Sequence, residues 1–256
     1  MRNSMVAVAA VGTAVLVLSA PALVAAQSAG TGQIPQTPDG KPDLHGIWQA
    51  VNTAEWDVEP HEGRPGIPPG MGVVEGEKIP YQPWALAKKQ ENFAQRHTVD
   101  PVSKCYLPGV PRATYMPFPF QIFQTPKYVT ILYEYAHTMR LIPVDGSAHP
   151  DGLEFWMGDS RGRYEGDALV IEVTNFNDTT WFDKAGNFHS EALRVIERYT
   201  LTEPDTITYE ATIEDPKVFT RPWKISMPLY LRKEKNLQLL EYECYSFPEA
   251  GVEAGK

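Results

Sequence analysis

The chain lacks closely spaced cysteines: its 256 residues include only Cys105 and Cys244, far apart. Thiolate metal centres and Cys-x-x-Cys redox chemistry both need tight spacing, so neither is supported. The sequence also lacks Gly-x-Gly-x-x-Gly, the phosphate-binding Gly-x-x-x-x-Gly-Lys-Ser/Thr and His-Glu-x-x-His, which removes support for nucleotide-dependent chemistry and for the common zinc hydrolases. Basic charge is scarce as well, with 23 Lys and Arg against 32 Asp and Glu and a net charge of −9. A chain that acidic, without a Lys/Arg stripe, repels a phosphate backbone, so no nucleic-acid partner is expected. There is no internal repeat, and after residue 26 no apolar run approaches the ~20 residues of a bilayer span.

At the amino terminus, Arg2 precedes an apolar run from Met5 to Leu18, then Pro21 and the small residues before Gln27. This is the pattern of a cleaved secretory signal peptide over residues 1–26, and it predicts a periplasmic or secreted protein. The two cysteines then form an even pair in an oxidising compartment, and a Cys105–Cys244 disulfide is expected.

From residue 27 to 119 the chain is rich in Pro and Gly and is read as an irregular arm held by Trp48, Trp56 and Tyr81, with one short helix from Pro83 to Arg96. Residues 120–248 change to alternating β-branched and aromatic segments broken by turn residues. Strands are expected at Tyr128–Tyr135, His137–Val144, Leu169–Phe176, Glu191–Leu201, Thr206–Ile213, Trp223–Leu231 and Leu237–Tyr245. Tight turns are expected at Gly166-Asp167 and Pro204-Asp205. About eight antiparallel strands joined mainly by hairpins predict a mainly β, up-and-down barrel of lipocalin-like shape, with a two-sheet sandwich as the alternative. Residues 249–256 are read as a tail.

Several stretches carry a resemblance: Pro42-Asp43-Leu44-His45-Gly46-Ile47-Trp48, Cys105-Tyr106-Leu107-Pro108-Gly109-Val110-Pro111-Arg112, Gly162-Arg163-Tyr164-Glu165-Gly166-Asp167-Ala168-Leu169-Val170 and Glu241-Tyr242-Glu243-Cys244. Together they resemble a large, mostly uncharacterised family of secreted bacterial proteins. The resemblance implies export and carries no activity or residue roles, and His45 stands where the opening motif usually has Ser.

Two clusters hold groups suited to proton transfer. The first is Glu134, His137, Thr138 and Arg140, which a bend near Ala136 brings together; Arg140 would hold an anionic or carbonyl oxygen. The second is His189, Ser190, Glu191, Arg194 and Glu197 at a strand entry. An imidazole with an ordinary pKa near neutrality suits a general base, so His137 and His189 are the candidates, oriented by Glu134 or Glu191. A surface ion pair beside a core histidine is the plainer account of each cluster. Gly158-Asp159-Ser160 opens like a hydrolase nucleophile motif, but that motif belongs on an α/β scaffold. A metal held by His137, His149 or His189 is a minor alternative without supporting local spacing. Tyr133, Tyr135, Trp156, Trp181 and Trp223 are candidate walls of an apolar pocket.

The expectation that follows is an exported barrel enzyme using no organic cofactor. It would act on a small apolar or aromatic molecule by acid/base chemistry of lyase, isomerase or hydrolase type. The alternatives are a non-catalytic lipocalin-like binder of a small hydrophobic ligand and a structural envelope protein. The oligomeric state is left open.

Overall fold

Strands form where buried and exposed residues alternate, because successive side chains on an extended backbone point to opposite faces. The computed structural model describes residues 34–242; the leader, Cys244 and the tail lie outside them. The elements are β1 (Gly46–Ala50), α1 (Pro83–Val99), α2 (Arg112–Tyr115), β2 (Phe120–Gln124), β3 (Tyr128–Tyr133), β4 (Met139–Pro143), β5 (Asp159–Glu165), β6 (Ala168–Thr174), β7 (Arg194–Glu203), β8 (Thr206–Glu214) and β9 (Trp223–Leu231).

The nine strands make one sheet in the order β4-β3-β2-β1-β9-β8-β7-β6-β5, and every ladder is antiparallel. The sheet curls into a nearly closed barrel, as the hairpin pattern predicts, rather than splitting into a sandwich. The sheet stops short of full closure between β4 and β5, its two end strands. Alternating directions around nine strands leave β4 and β5 running the same way, so the seam between them cannot be a hairpin. Residues 144–158 instead carry the chain back along the barrel before β5 begins. At that seam Gly162 lets the strands approach: a Cβ there would lie 2.9 Å from Val144 Cγ1 and 3.0 Å from Ile142 Cγ2.

The turns at Gly166-Asp167 and Pro204-Asp205 fall where expected, with Glu165 facing Ala168 and Glu203 facing Thr206. Three strand assignments need correction, and the first is that residues 120–124, assigned to no strand, form β2. Residues 46–50, inside the stretch read as an arm, form β1 and pair with both β2 and β9. Residues 237–242 are not a strand: their one ladder contact is an isolated parallel bridge from Tyr242 to Tyr135. The physical reason is one of occupancy, since β9 already has β8 on one edge and β1 on the other and offers no slot to the segment that follows it. The rest of Leu237–Tyr245, from residue 243 on, lies outside the described residues.

The core runs along the barrel axis, with Trp48, Phe120, Ile131, Tyr199, Tyr209 and Leu229 among its buried side chains. Helix α1 starts at Pro83, where the missing N–H costs nothing, and it runs beyond Arg96 to Val99. Its buried residues are Ala85 and Asn92, while Trp84 and Leu86 are exposed. Helix α2 is buried throughout and is fastened by Tyr115, whose hydroxyl donates to the Phe182 carbonyl at 2.7 Å.

Candidate functional site

A lipocalin-like barrel would hold its ligand inside, but this interior is occupied by side chains. Arg140 points inward from β4 and meets Glu197 of β7 through two contacts, Nη2 to Oε2 at 2.5 Å and Nη1 to Oε1 at 3.2 Å. It also donates to Ser160 Oγ at 2.9 Å and to Tyr133 Oη at 3.3 Å. Tyr199 and Tyr209 donate to Glu197 Oε1 at 3.1 and 2.9 Å. Burial works against the Arg140 charge, yet the Glu197 carboxylate more than offsets it and holds its pKa well above the ordinary value. Burial and the same carboxylate raise both tyrosine pKa values, so the hydroxyls stay protonated as donors. The interior is thus a satisfied polar network inside an apolar shell. Arg140 is consumed by it and does not serve an external oxygen.

A concavity lies at one end of the barrel, where β3 turns into β4. Thr138 N donates to the Tyr135 carbonyl at 3.1 Å, and Tyr133 N to the Thr138 carbonyl at 2.8 Å. The two residues between, Ala136 and His137, both have positive φ, 52° and 48°. Non-glycine residues rarely adopt that conformation, and here it leaves His137 exposed at the turn. After β9 the chain returns across this end, and Leu240 N donates to Glu134 Oε2 at 2.8 Å. Tyr242 then packs on Phe118 and Tyr135 with ring centroids 4.6 and 5.5 Å away.

Between the turn and the returning segment lies a cavity of about 320 Å³, at the small end of the range for small-molecule sites. Leu132, Tyr133, Leu239 and Leu240 give it apolar walls, and Glu134, His137, Thr138 and Glu241 supply its polar groups. Thr138 is 4% exposed, and its Oγ1 is buried without a hydrogen-bond partner. The structure therefore brings Glu134, His137 and Thr138 together, as the first cluster predicts, with Tyr133 as a wall, and sends Arg140 elsewhere.

The second cluster does not reach this cavity. His189 is fully enclosed, edge-on to Phe176 and tilted against Phe182, with Nε2 2.7 Å from Thr180 Oγ1 and Nδ1 2.9 Å from the Ser190 carbonyl. Nδ1–H therefore donates to the carbonyl and Nε2 accepts from the threonine. Burial lowers the His189 pKa, which makes it a neutral core histidine. Glu191 sits on the surface in an ion pair with Lys217. Of the aromatic candidates, Tyr135 is stacked against Tyr242, Trp156 lies edge-on to Tyr106, Trp181 bridges to Phe188, and Trp223 is buried against Phe182 and Phe219. None of these four lines the cavity. His149 holds Asp159 at 2.6 Å, and among the described residues no group of three or more His, Cys, Asp or Glu is arranged around a metal position.

Sequence reasoning read one feature only in part and passed over two others. Gly158-Asp159-Ser160-Arg161-Gly162 spells Gly-x-Ser-x-Gly in full, but Ser160 lies within β5 with its Oγ held by Arg140 in the interior, not on a strand-to-helix elbow. Arg112 is buried between Glu55 and Asp100, with four contacts of 2.8–3.1 Å. Asp183 accepts from the backbone N–H groups of Val58, Ala185 and Asn187 and from the Asn187 amide. Burial, together with repulsion from Asp57, pushes the Asp183 pKa up to about 8. Ala185 and Asn187 are local partners and Val58 is 125 residues away; these contacts are those of a loop organiser. No family model, curated protein or solved structure matches the chain.

Proposed function

We propose that the protein binds a small, largely apolar molecule carrying a hydrogen-bonding group in the cavity at the β3–β4 end of the barrel. The observation that carries this reading is the cavity itself, about 320 Å³ with leucine and tyrosine walls and Glu134, His137 and Thr138 among its polar lining residues. A ligand of that size would bury its apolar part against the leucines and turn its polar group to Glu134 or His137. Native mass spectrometry of the mature protein from its own host tests this. A stoichiometric small-molecule mass that disappears in Leu240→Trp, which fills the cavity, is expected, and a wild-type protein that retains no ligand and binds none from a fragment set refutes it.

A second reading, acid/base catalysis on the bound molecule, is favoured by the carboxylate of Glu134 and the imidazole of His137 lining one cavity. It requires that His137→Ala abolish turnover while leaving the ligand bound.

We further infer that the protein is exported to the periplasm or beyond after loss of residues 1–26, and that it belongs with the secreted family its motifs resemble. Among the described residues no helix is long and apolar enough to cross a membrane. The Cys105–Cys244 disulfide is supported by its surroundings. The Tyr135 hydroxyl donates to the carbonyls of Val102 and Tyr106, on either side of Cys105, and the Tyr135 ring stacks on Tyr242. That places the chain two residues before Cys244, a reach of about 7 Å, beside the loop that bears Cys105.

A further inference from the structure

We infer that the cavity is assembled by a tethered strap, residues 232–242, and that ligand binding is switched on by oxidation of Cys105; this rests on the binding function and the Cys105–Cys244 bridge proposed above. The strap carries three of the eight lining residues, Leu239, Leu240 and Glu241. Without them the β3–β4 turn is one side of a cleft and encloses nothing. The near end of the strap is pinned by Arg232, whose N donates to the Ile47 carbonyl at 2.8 Å and whose guanidinium donates to Gln49. Beyond Asn236 it joins no ladder. It is held there by Leu240 N on Glu134 Oε2 at 2.8 Å, by the isolated bridge from Tyr242 to Tyr135, and by the Tyr242 ring on Phe118 and Tyr135. One hydrogen bond and two ring contacts are each worth little net of solvent, and Leu240 is 66% exposed. The far end therefore needs a covalent tether to keep its place.

The bridge supplies it. Among the described residues no cysteine is free, and the one partner the sequence offers Cys105 is Cys244. Cys105 sits on the turn gripped by the Tyr135 hydroxyl through the carbonyls of Val102 and Tyr106, and the ring of the same tyrosine receives Tyr242. Reduction by a dithiol breaks the S–S bond: two electrons and two protons pass to the cysteine sulfurs, leaving two thiols, and the dithiol closes to a cyclic disulfide. No rung of the nine-strand sheet needs that bond, since every strand lies between Gly46 and Leu231. Only the strap loses its tether, and the wall at Leu239–Glu241 leaves the turn. A chain still reduced before export then carries a folded barrel without a site, and an oxidising compartment completes it.

Titration of 1-hexanol into the mature protein, oxidised and after dithiothreitol treatment, tests this, with hydrogen exchange of the Leu240 amide followed in parallel. The alcohol is expected to bind the oxidised protein, and to bind the reduced protein about tenfold or more weakly, because two leucine walls are lost. Leu240 exchange should quicken by about tenfold while far-ultraviolet circular dichroism is unchanged. Cys105→Ser, which lies outside the cavity lining, should behave as the reduced protein with or without dithiothreitol. Equal affinity in the two redox states overturns the switch and leaves the binding function standing. Loss of the β-sheet spectrum on reduction also overturns it, because the bridge would then hold the barrel and not the strap. An oxidised mass equal to the reduced one removes the bridge and the inference together. If 1-hexanol does not bind the oxidised protein, the binding function fails and this inference fails with it.

Discussion

Replacing Glu197 with Gln would strip the barrel interior of its only negative charge next to Arg140 while keeping its shape. The guanidinium is 2% exposed and its carboxylate partner 0%, so the positive charge left behind has no route to solvent. Breaking a buried pair from one side typically costs about 3–5 kcal/mol. Here Tyr199 and Tyr209 also lose a charged acceptor for a neutral one, which places the expected loss toward the upper end. Against a total stability of about 5–15 kcal/mol that is a large fraction. With a urea m-value of about 2–3 kcal/mol/M, the midpoint should move down by roughly 1.5–2 M, followed by far-ultraviolet circular dichroism and tryptophan fluorescence together. Arg140→Met/Glu197→Met should cost less than the sum of its single variants, because no unpaired charge remains. A Glu197→Gln protein within about 1 kcal/mol of wild type that no longer binds ligand would refute the reasoning, since it would make Glu197 part of a binding site and not of the core.

Other outcomes follow from the same contacts. His189 has a folded pKa below its ordinary value, so below about pH 6.5 the unfolded chain takes up a proton that the folded one resists, and stability falls as pH drops. His189→Gln should be less stable than wild type at pH 7, with the gap shrinking by at most about 1.4 kcal/mol per pH unit on acidification; a gap independent of pH between 7 and 5 contradicts the neutral-core assignment. Gly162→Ala forces a Cβ against Val144 and Ile142 at the seam and should cost about 1–3 kcal/mol in thermal melts, whereas Gly146→Ala, with open space but φ of 80°, tests backbone strain without a clash. The intact mature protein should weigh about 2 Da less than its reduced form, and Cys105→Ser should lose roughly 3–5 kcal/mol by removing a long closed loop; an unreduced mass equal to the reduced one excludes the bridge.

Legibility from sequence varied with how local the determining interactions were. The hairpins from β5 to β8 could be read because alternation and turn residues lie within each pair, as in the pattern Thr206-Ile207-Thr208-Tyr209 followed across the turn from Leu201. Strand β1 could not, because Gly46–Ala50 is short, sits among prolines, and becomes a strand only through partners far along the chain. The same fact misdirects the reading of Leu237–Tyr245, whose alternation is strand-like but whose place beside β9 is taken by β1. At the site, Glu134, His137 and Thr138 were legible as one cluster because a tight turn gathers them. Glu197 was named within the second cluster, but its pairing with Arg140 spans 57 residues, and the returning wall at Leu239–Glu241 is equally remote.

The central claim is that ligand binds at the β3–β4 end and not within the barrel. A titration of isotopically labelled protein with 1-hexanol, a small apolar molecule with one hydrogen-bonding group, followed by amide chemical-shift changes, tests it most directly. Saturable shifts confined to residues 132–138 and 239–241 are the predicted result. Shifts centred on Glu197, Tyr199 and Tyr209, with the turn unaffected, would contradict it.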